Sequence, residues 1–145
     1  MNAREYSMAR TISGKVDQVG PSTGKGTVRT HSVLVDRPTD KGGADRGPMG
    51  GELLLLALGG CFTSNLLAAI KTRNAVVSGV RVTVDATLDG TPERMTAYTV
   101  RVSARYDNRE EMDKLVTIAE RGCIVANTLR QNVPLTVVLE EPPRV

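Results

Sequence analysis

The sequence predicts an α+β protein built on antiparallel pairing, and three observations carry that reading. Two segments of clean apolar–polar alternation stand on either side of a short turn, at Val80–Leu88 and Tyr98–Tyr106. The stretch from Leu53 to Ile70 contains no charged residue and reads as a long apolar helix. A second helix with one apolar stripe follows the hairpin, giving the order β-β-α-β-β-α-β rather than the strand–helix alternation of a parallel sheet. With 145 residues, 40% hydrophobic and 24% charged, the chain has the size and composition of one soluble domain, residues 1–145.

Each element has its own signal. Residues 10–19 and 27–37 carry β-branched side chains in loose alternation around Gly20-Pro21-Ser22-Thr23-Gly24, and are expected as two strands and a turn. Pro38 to Gly51 holds Gly42, Gly43, Gly47 and Gly50 as well as Pro48, so a long loop is expected there, functional or simply a surface loop. The first helix runs from about Glu52 to Arg73, with Glu52 in its first turn and Lys71 and Arg73 in its last, as the helix dipole favours. Asp89-Gly90-Thr91-Pro92 turns the hairpin. Asn108 with Glu111 resembles a capping box for a helix over 109–121, whose stripe is Met112, Leu115, Ile118 and Ala119. Gly122 ends it, Cys123 follows, Ile124–Leu129 suits a short helical turn, and Leu135–Glu140 reads as a last strand.

Several function classes fit poorly. The net charge is +3 with basic residues scattered, and three Tyr, one Phe and no Trp offer little for stacking on bases, so no nucleic-acid partner is expected. The segment Gly59-Gly60-Cys61-Phe62-Thr63-Ser64-Asn65 is too polar for a lone membrane span, which favours a helix buried in a soluble core and no membrane partner. MNAREYSMARTISG lacks the apolar stretch of a secretory signal, and two cysteines without one imply a reducing, cytoplasmic setting. His31 alone makes neither a metal site nor a Cys–His pair and is expected at the surface, and the cysteine spacing is not that of a zinc site. GPMGGELLLL lacks both the lysine of a P-loop and the spacing of a dinucleotide fingerprint.

What remains is thiol chemistry. Ala57, Gly60, Cys61, Ser64 and Ala68 share a helix face on which every residue is small. Such a face suits a tight helix crossing around a silent, packed cysteine. It equally suits the close approach of a second thiol, since a disulfide needs Cα atoms about 4.4–6.8 Å apart. On composition alone the buried structural cysteine is favoured. A reactive Cys61 at mid-helix gains nothing from its own helix dipole and needs a cation from elsewhere: Lys41 or Arg46 in the glycine-rich loop, or Lys25 and Arg29 before it.

P-M-G-G-E-L-L-L-L-A-L-G-G-C-F, residues 48–62, and R-G-C-I-V-A-N-T-L, residues 121–129, together resemble the OsmC/Ohr family of osmotically induced and organic hydroperoxide resistance proteins. The resemblance covers about residues 38–140 and implies an OsmC-like fold, with antiparallel sheets wrapped around a central buried helix in an intertwined homodimer. It implies a thiol peroxidase in which Cys61 matches the peroxidatic and Cys123 the resolving cysteine. Organic hydroperoxides become alcohols through a Cys61 sulfenic acid and a Cys61–Cys123 disulfide, which an external dithiol, lipoyl-type in the family, reduces. No metal, flavin or haem is implied. The apolar wall from Leu53 to Leu58 with Phe62 would suit fatty or aromatic peroxides.

The chain departs from the organic hydroperoxide branch at two points. Gly51 stands where that branch has its arginine-orienting carboxylate, with Glu52 next to it, and Gly24-Lys25-Gly26 carries lysine where the family's arginine is flanked by glycine. Arg46 is expected to substitute, Glu52 is the carboxylate to hand, and the match is to a general OsmC-like branch. Two other functions use the same scaffold: non-catalytic binding of an apolar ligand, and a redox sensor switched by the Cys61–Cys123 bond.

Overall fold

The computed structural model describes residues 9–140 and Pro142. They form two compact units whose boundary falls between Leu54 and Leu55, inside the long helix. The class is α+β with antiparallel sheets, as the alternation predicts.

The first unit holds a three-stranded antiparallel sheet of β1 (Lys15–Gln18), β2 (Gly24–Val28) and β3 (His31–Val35) in sequential order. Two strands were expected here, and the turn residues at 20–24 hide a third. In the register Val16↔Gly26↔Val33 the middle strand contributes glycine, so its pattern shows no apolar alternation. A second turn at Arg29, in the left-handed region at φ 53°, returns the chain to pair Val28 with His31. His31 is exposed on β3.

The glycine-rich segment after β3 is anchored rather than free. Thr39–Lys41 forms a single 3-10 turn, Asp45 N donates to Arg37 O at 2.9 Å and Asp36 N to Pro48 O at 3.0 Å. Asp36 is the anchor: its buried carboxylate accepts from Thr23 Oγ1 at 2.8 Å, Arg37 N at 2.7 Å and Arg46 N at 3.2 Å. Burial pushes this carboxyl up, but the hydrogen bonds from Thr23, Ser22 and the two backbone N–H groups outweigh it and hold it well below the usual carboxylate range.

α1 spans Gly50–Thr72, and Glu52 Oε1 in its first turn accepts Met49 N at 2.9 Å. In the second unit it packs with β4 (Val77–Asp89), β5 (Arg94–Tyr106), α2 (Arg109–Gly122) and α3 (Ile124–Leu129). The hairpin strands pair from Val77↔Tyr106 to Asp89↔Arg94, longer than the alternating runs alone indicate. Asn108 caps α2 as expected, its Oδ1 accepting Glu111 N at 3.0 Å. Leu58, Phe62, Leu66 and Ala69 of α1 meet Met112, Leu115 and Ala119 of α2 and Cys123 in one apolar cluster. At Gly59 the helix lies so close to β4 that a Cβ would stand 3.2 Å from Val84 Cγ2.

Three expectations are corrected. Ile118 stays 37% exposed, because the stripe that packs inward is Met112–Leu115–Ala119. α1 is not wholly buried: Leu56 and Leu67 are 64% and 51% exposed, and Gly60, Ser64 and Ala68 on its small-residue face are also exposed. By length and composition α1 is apolar enough to cross a membrane, yet its Leu58–Phe62–Leu66 face is part of the core. Leu135–Glu140 forms no strand, although Leu135, Val137 and Leu139 alternate with Thr136 and Val138. Alternation supplies a side-chain pattern, but a strand also needs an edge to bond to, and this segment pairs with none among the described residues.

Two measurements test this packing. Leu115→Ala, at a site with no solvent exposure, is expected to cost about 2–5 kcal/mol of unfolding free energy by urea titration. A folded-state pKa held below the unfolded value of about 3.9 means that the Asp36 contribution is present above that pH and is lost as pH falls below it. Asp36→Asn is therefore expected to lower stability at neutral pH and to flatten its decline in acid.

Candidate active site

The second unit brings Cys61 and Cys123 into one apolar cluster, with no disulfide between them. α1 presents Cys61 half-buried against the core, two residues beyond the close approach at Gly59. Cys123 is fully buried at the junction of two helices. Its N–H closes α2 by donating to Glu120 O at 3.3 Å, and its Sγ caps α3 by accepting Ala126 N at 3.4 Å. Arg130 Nη2 to Glu120 Oε2 at 2.6 Å and Asn127 Nδ2 to Arg121 O at 3.2 Å tie α3 back onto α2.

This junction makes the two sulfurs unequal. Burial pushes the Cys61 thiol up, but hydrogen bonds from Val125 N–H, the Cys123 side chain and Ile124 N–H outweigh it, so Cys61 lies below the ordinary thiol value. Cys123 lies above it, first because of burial, then because of the hydrogen bond and the charge it shares with Cys61; N–H groups of Ala126 and Val125 offset this only in part. Of the two thiols, Cys61 is the more readily ionised and Cys123 the less. Asn65, one helical turn on, donates Nδ2 to Cys61 O at 2.9 Å and lies 3.8 Å from Cys61 Sγ.

The sequence leads one to expect a cation beside Cys61; within the second unit the groups that lower it include backbone N–H groups opening α3. The signal was present in R-G-C-I-V-A-N, where one helix stops at Gly122 and another starts at once, so free N–H groups must point from that corner. Ile124, Val125 and Asn65 were not singled out, because a backbone donor leaves no mark on residue type and Asn65 reads as one more polar residue in a helix.

The remaining expected residues lie in the first unit. Lys25 is on β2, Arg29 turns the chain into β3, Lys41 ends the 3-10 turn, Arg46 bonds Asp36 through its N–H, and Glu52 bonds Met49 N. The expected apolar wall is also changed: Leu58 and Phe62 are 3% and 4% exposed, so both serve the core, and Leu56 is the exposed leucine. Among the described residues no three His, Cys, Asp or Glu side chains cluster as metal ligands.

The family model for OsmC-like protein matches residues 42–138, which include both cysteines. The chain belongs to the OsmC-like family. Solved structures of the same fold include an OsmC-like protein from Mycoplasma pneumoniae, at TM-score 0.73 and 13% identity over 85% of this chain and 89% of that one. An organic hydroperoxide resistance protein from Elizabethkingia anophelis matches at TM-score 0.66 and 21% identity, over 86% of this chain and 91% of that one. The organic hydroperoxide resistance protein OhrB of Bacillus subtilis matches at 0.60 and 20%, over 83% and 93%. No curated protein sequence matches the chain.

The thiol asymmetry is directly measurable in this OsmC-like protein. The pH midpoint of Cys61 alkylation is expected below that of an unperturbed cysteine in a short peptide alkylated under the same conditions. Cys123→Ala, which removes the S–H donor, is expected to raise that midpoint.

Proposed function

We propose that this protein is a thiol-dependent peroxidase that reduces organic hydroperoxides to alcohols. The observation that supports it is the packing of two free thiols in one apolar cluster, with Cys61 shifted toward the charged form and Cys123 away from it. Cys61 sulfur attacks the distal peroxide oxygen; the S–O bond forms as the O–O bond breaks, and sulfur gives up two electrons. The leaving alkoxide takes a proton and departs as the alcohol, leaving a sulfenic acid. Cys123 sulfur then bonds to Cys61 sulfur, and the sulfenic oxygen leaves as water with the Cys123 proton. An external dithiol, lipoyl-type in the family, reduces the disulfide by exchange, and no bound cofactor takes part.

The working unit in this reading is a homodimer in the cytoplasm, where a disulfide is transient. Support for the homodimer comes from apolar surface left open in the single chain: Leu56 and Leu67 on α1, and Leu135, Val137 and Leu139 at 85%, 88% and 98% exposure. Arg46 is the proposed guanidinium for the reacting oxygen and Glu52 its carboxylate, with Arg46→Ala expected to slow peroxide reduction.

Dithiol-dependent consumption of cumene hydroperoxide tests the reading. Cys61→Ser is expected to reduce it to background. Cys123→Ser should leave one round of sulfenic acid formation, trapped by dimedone, with impaired turnover. Stoichiometric oxidation without turnover would instead make the pair a sensor, and retention of an apolar ligand in both variants would make the protein a binder.

A further inference from the structure

Asn65 has no part in the chemistry above, yet it contacts Cys61 and lies against Gly122, the residue before Cys123. From one turn below Cys61 its Nδ2 donates to Cys61 O at 2.9 Å and reaches to 3.8 Å from Cys61 Sγ. Its other amide atom faces the corner between α2 and α3: a Cβ built on Gly122 would stand 2.9 Å from Asn65 Oδ1 and 3.5 Å from Asn65 Cγ. Gly122 immediately precedes Cys123, and its φ is not in the left-handed region, so backbone conformation does not require glycine there. Space does. Nearby α1 positions carry apolar side chains in the core, as at Leu66 and Ala69, whereas this partly buried position carries an amide.

We propose that Asn65 is a positioning residue for the reacting sulfur, its amide holding Cys61 against the corner that carries Cys123, with Gly122 leaving the room the amide occupies. The inference rests on the reading of Cys61 as the reacting thiol. An N–H aimed at sulfur favours the charged form, adding a side-chain donor to the backbone donors of Val125 and Ile124. The carbonyl contact fixes the amide's orientation, since Nδ2 serves Cys61 while Oδ1 is directed to Gly122. In this arrangement Gly122 and Asn65 are one device, and a change at either is felt at Cys61.

The test uses the full chain in a Cys123→Ser background, where Cys61 is the sole thiol, and reads the pH profile of its alkylation by iodoacetamide. Asn65→Ala is expected to raise the midpoint by about half a unit to one unit, slowing alkylation at neutral pH about threefold to tenfold. Asn65→Asp keeps the shape but places a carboxylate beside the thiolate, and is expected to raise the midpoint further. Gly122→Ala leaves Cys61 and Asn65 in place but crowds the amide, and is expected to shift the profile in the same direction. Circular dichroism establishes that each variant is folded. Unchanged midpoints in folded Asn65→Asp and Gly122→Ala, whatever their melting temperatures, would overturn the proposal, because a purely structural asparagine alters stability and leaves the titration of Cys61 alone. The readout needs no peroxide, so a protein that fails to turn over cumene hydroperoxide would remove the proposed function without deciding the role of Asn65.

Discussion

Cys123 belongs to two helices at once, its backbone closing α2 and its sulfur capping α3, and the direction the chain takes there aims the N–H groups of Ile124 and Val125 at Cys61. These are fixed dipoles, set by the backbone and held by Arg130–Glu120 and Asn127–Arg121 contacts outside the core. A lysine or arginine brought to a thiol must be ordered and desolvated to act; amides at a chain corner are already oriented. Remove the corner and Cys61 is a half-buried thiol whose burial alone would disfavour the charged form.

The corner in turn depends on the core beneath it. Leu66, Leu115 and Cys123 are the largest side chains with no exposed surface, and they lie at the meeting of α1, α2 and α3. Gly59 lets α1 settle against Val82 and Val84 of β4, which fixes the height of Cys61 above the sheet. The first unit solves a separate problem by the same means. There a buried carboxylate, Asp36, gathers Thr23, Arg37 and Arg46 donors and turns a glycine-rich segment into a defined path.

Much of this was legible in the sequence, for reasons that can be named. The β4–β5 hairpin, the Asn108 cap and the Met112–Leu115–Ala119 stripe are local patterns whose period matches the element they form. Cys61 and Cys123 stand out through the motifs around them taken together with their separation of 62 residues. What stayed hidden is what residue type does not encode. β2 was masked by Gly24 and Gly26, whose value lies in the room they leave for Val16 and Val33. Two of the groups that lower Cys61 are main-chain N–H groups, those of Val125 and Ile124. Leu135–Glu140 has the alternation of a strand and pairs with no edge among the described residues, and Leu56 and Leu67 of α1 are likewise left open, because a single sequence does not say which surfaces a fold covers for itself.

The coupling of the two thiols bears on the order of events in the proposed cycle. Burial is the larger cause that raises Cys123, and its contact with an ionised Cys61 is a smaller one. In that cycle Cys61 becomes neutral on taking up oxygen, and the electrostatic share of the restraint is relieved. In the proposed cycle the second sulfur thus becomes more nucleophilic only after the first has been spent, an interlock that needs no moving part and resets when both thiols are restored.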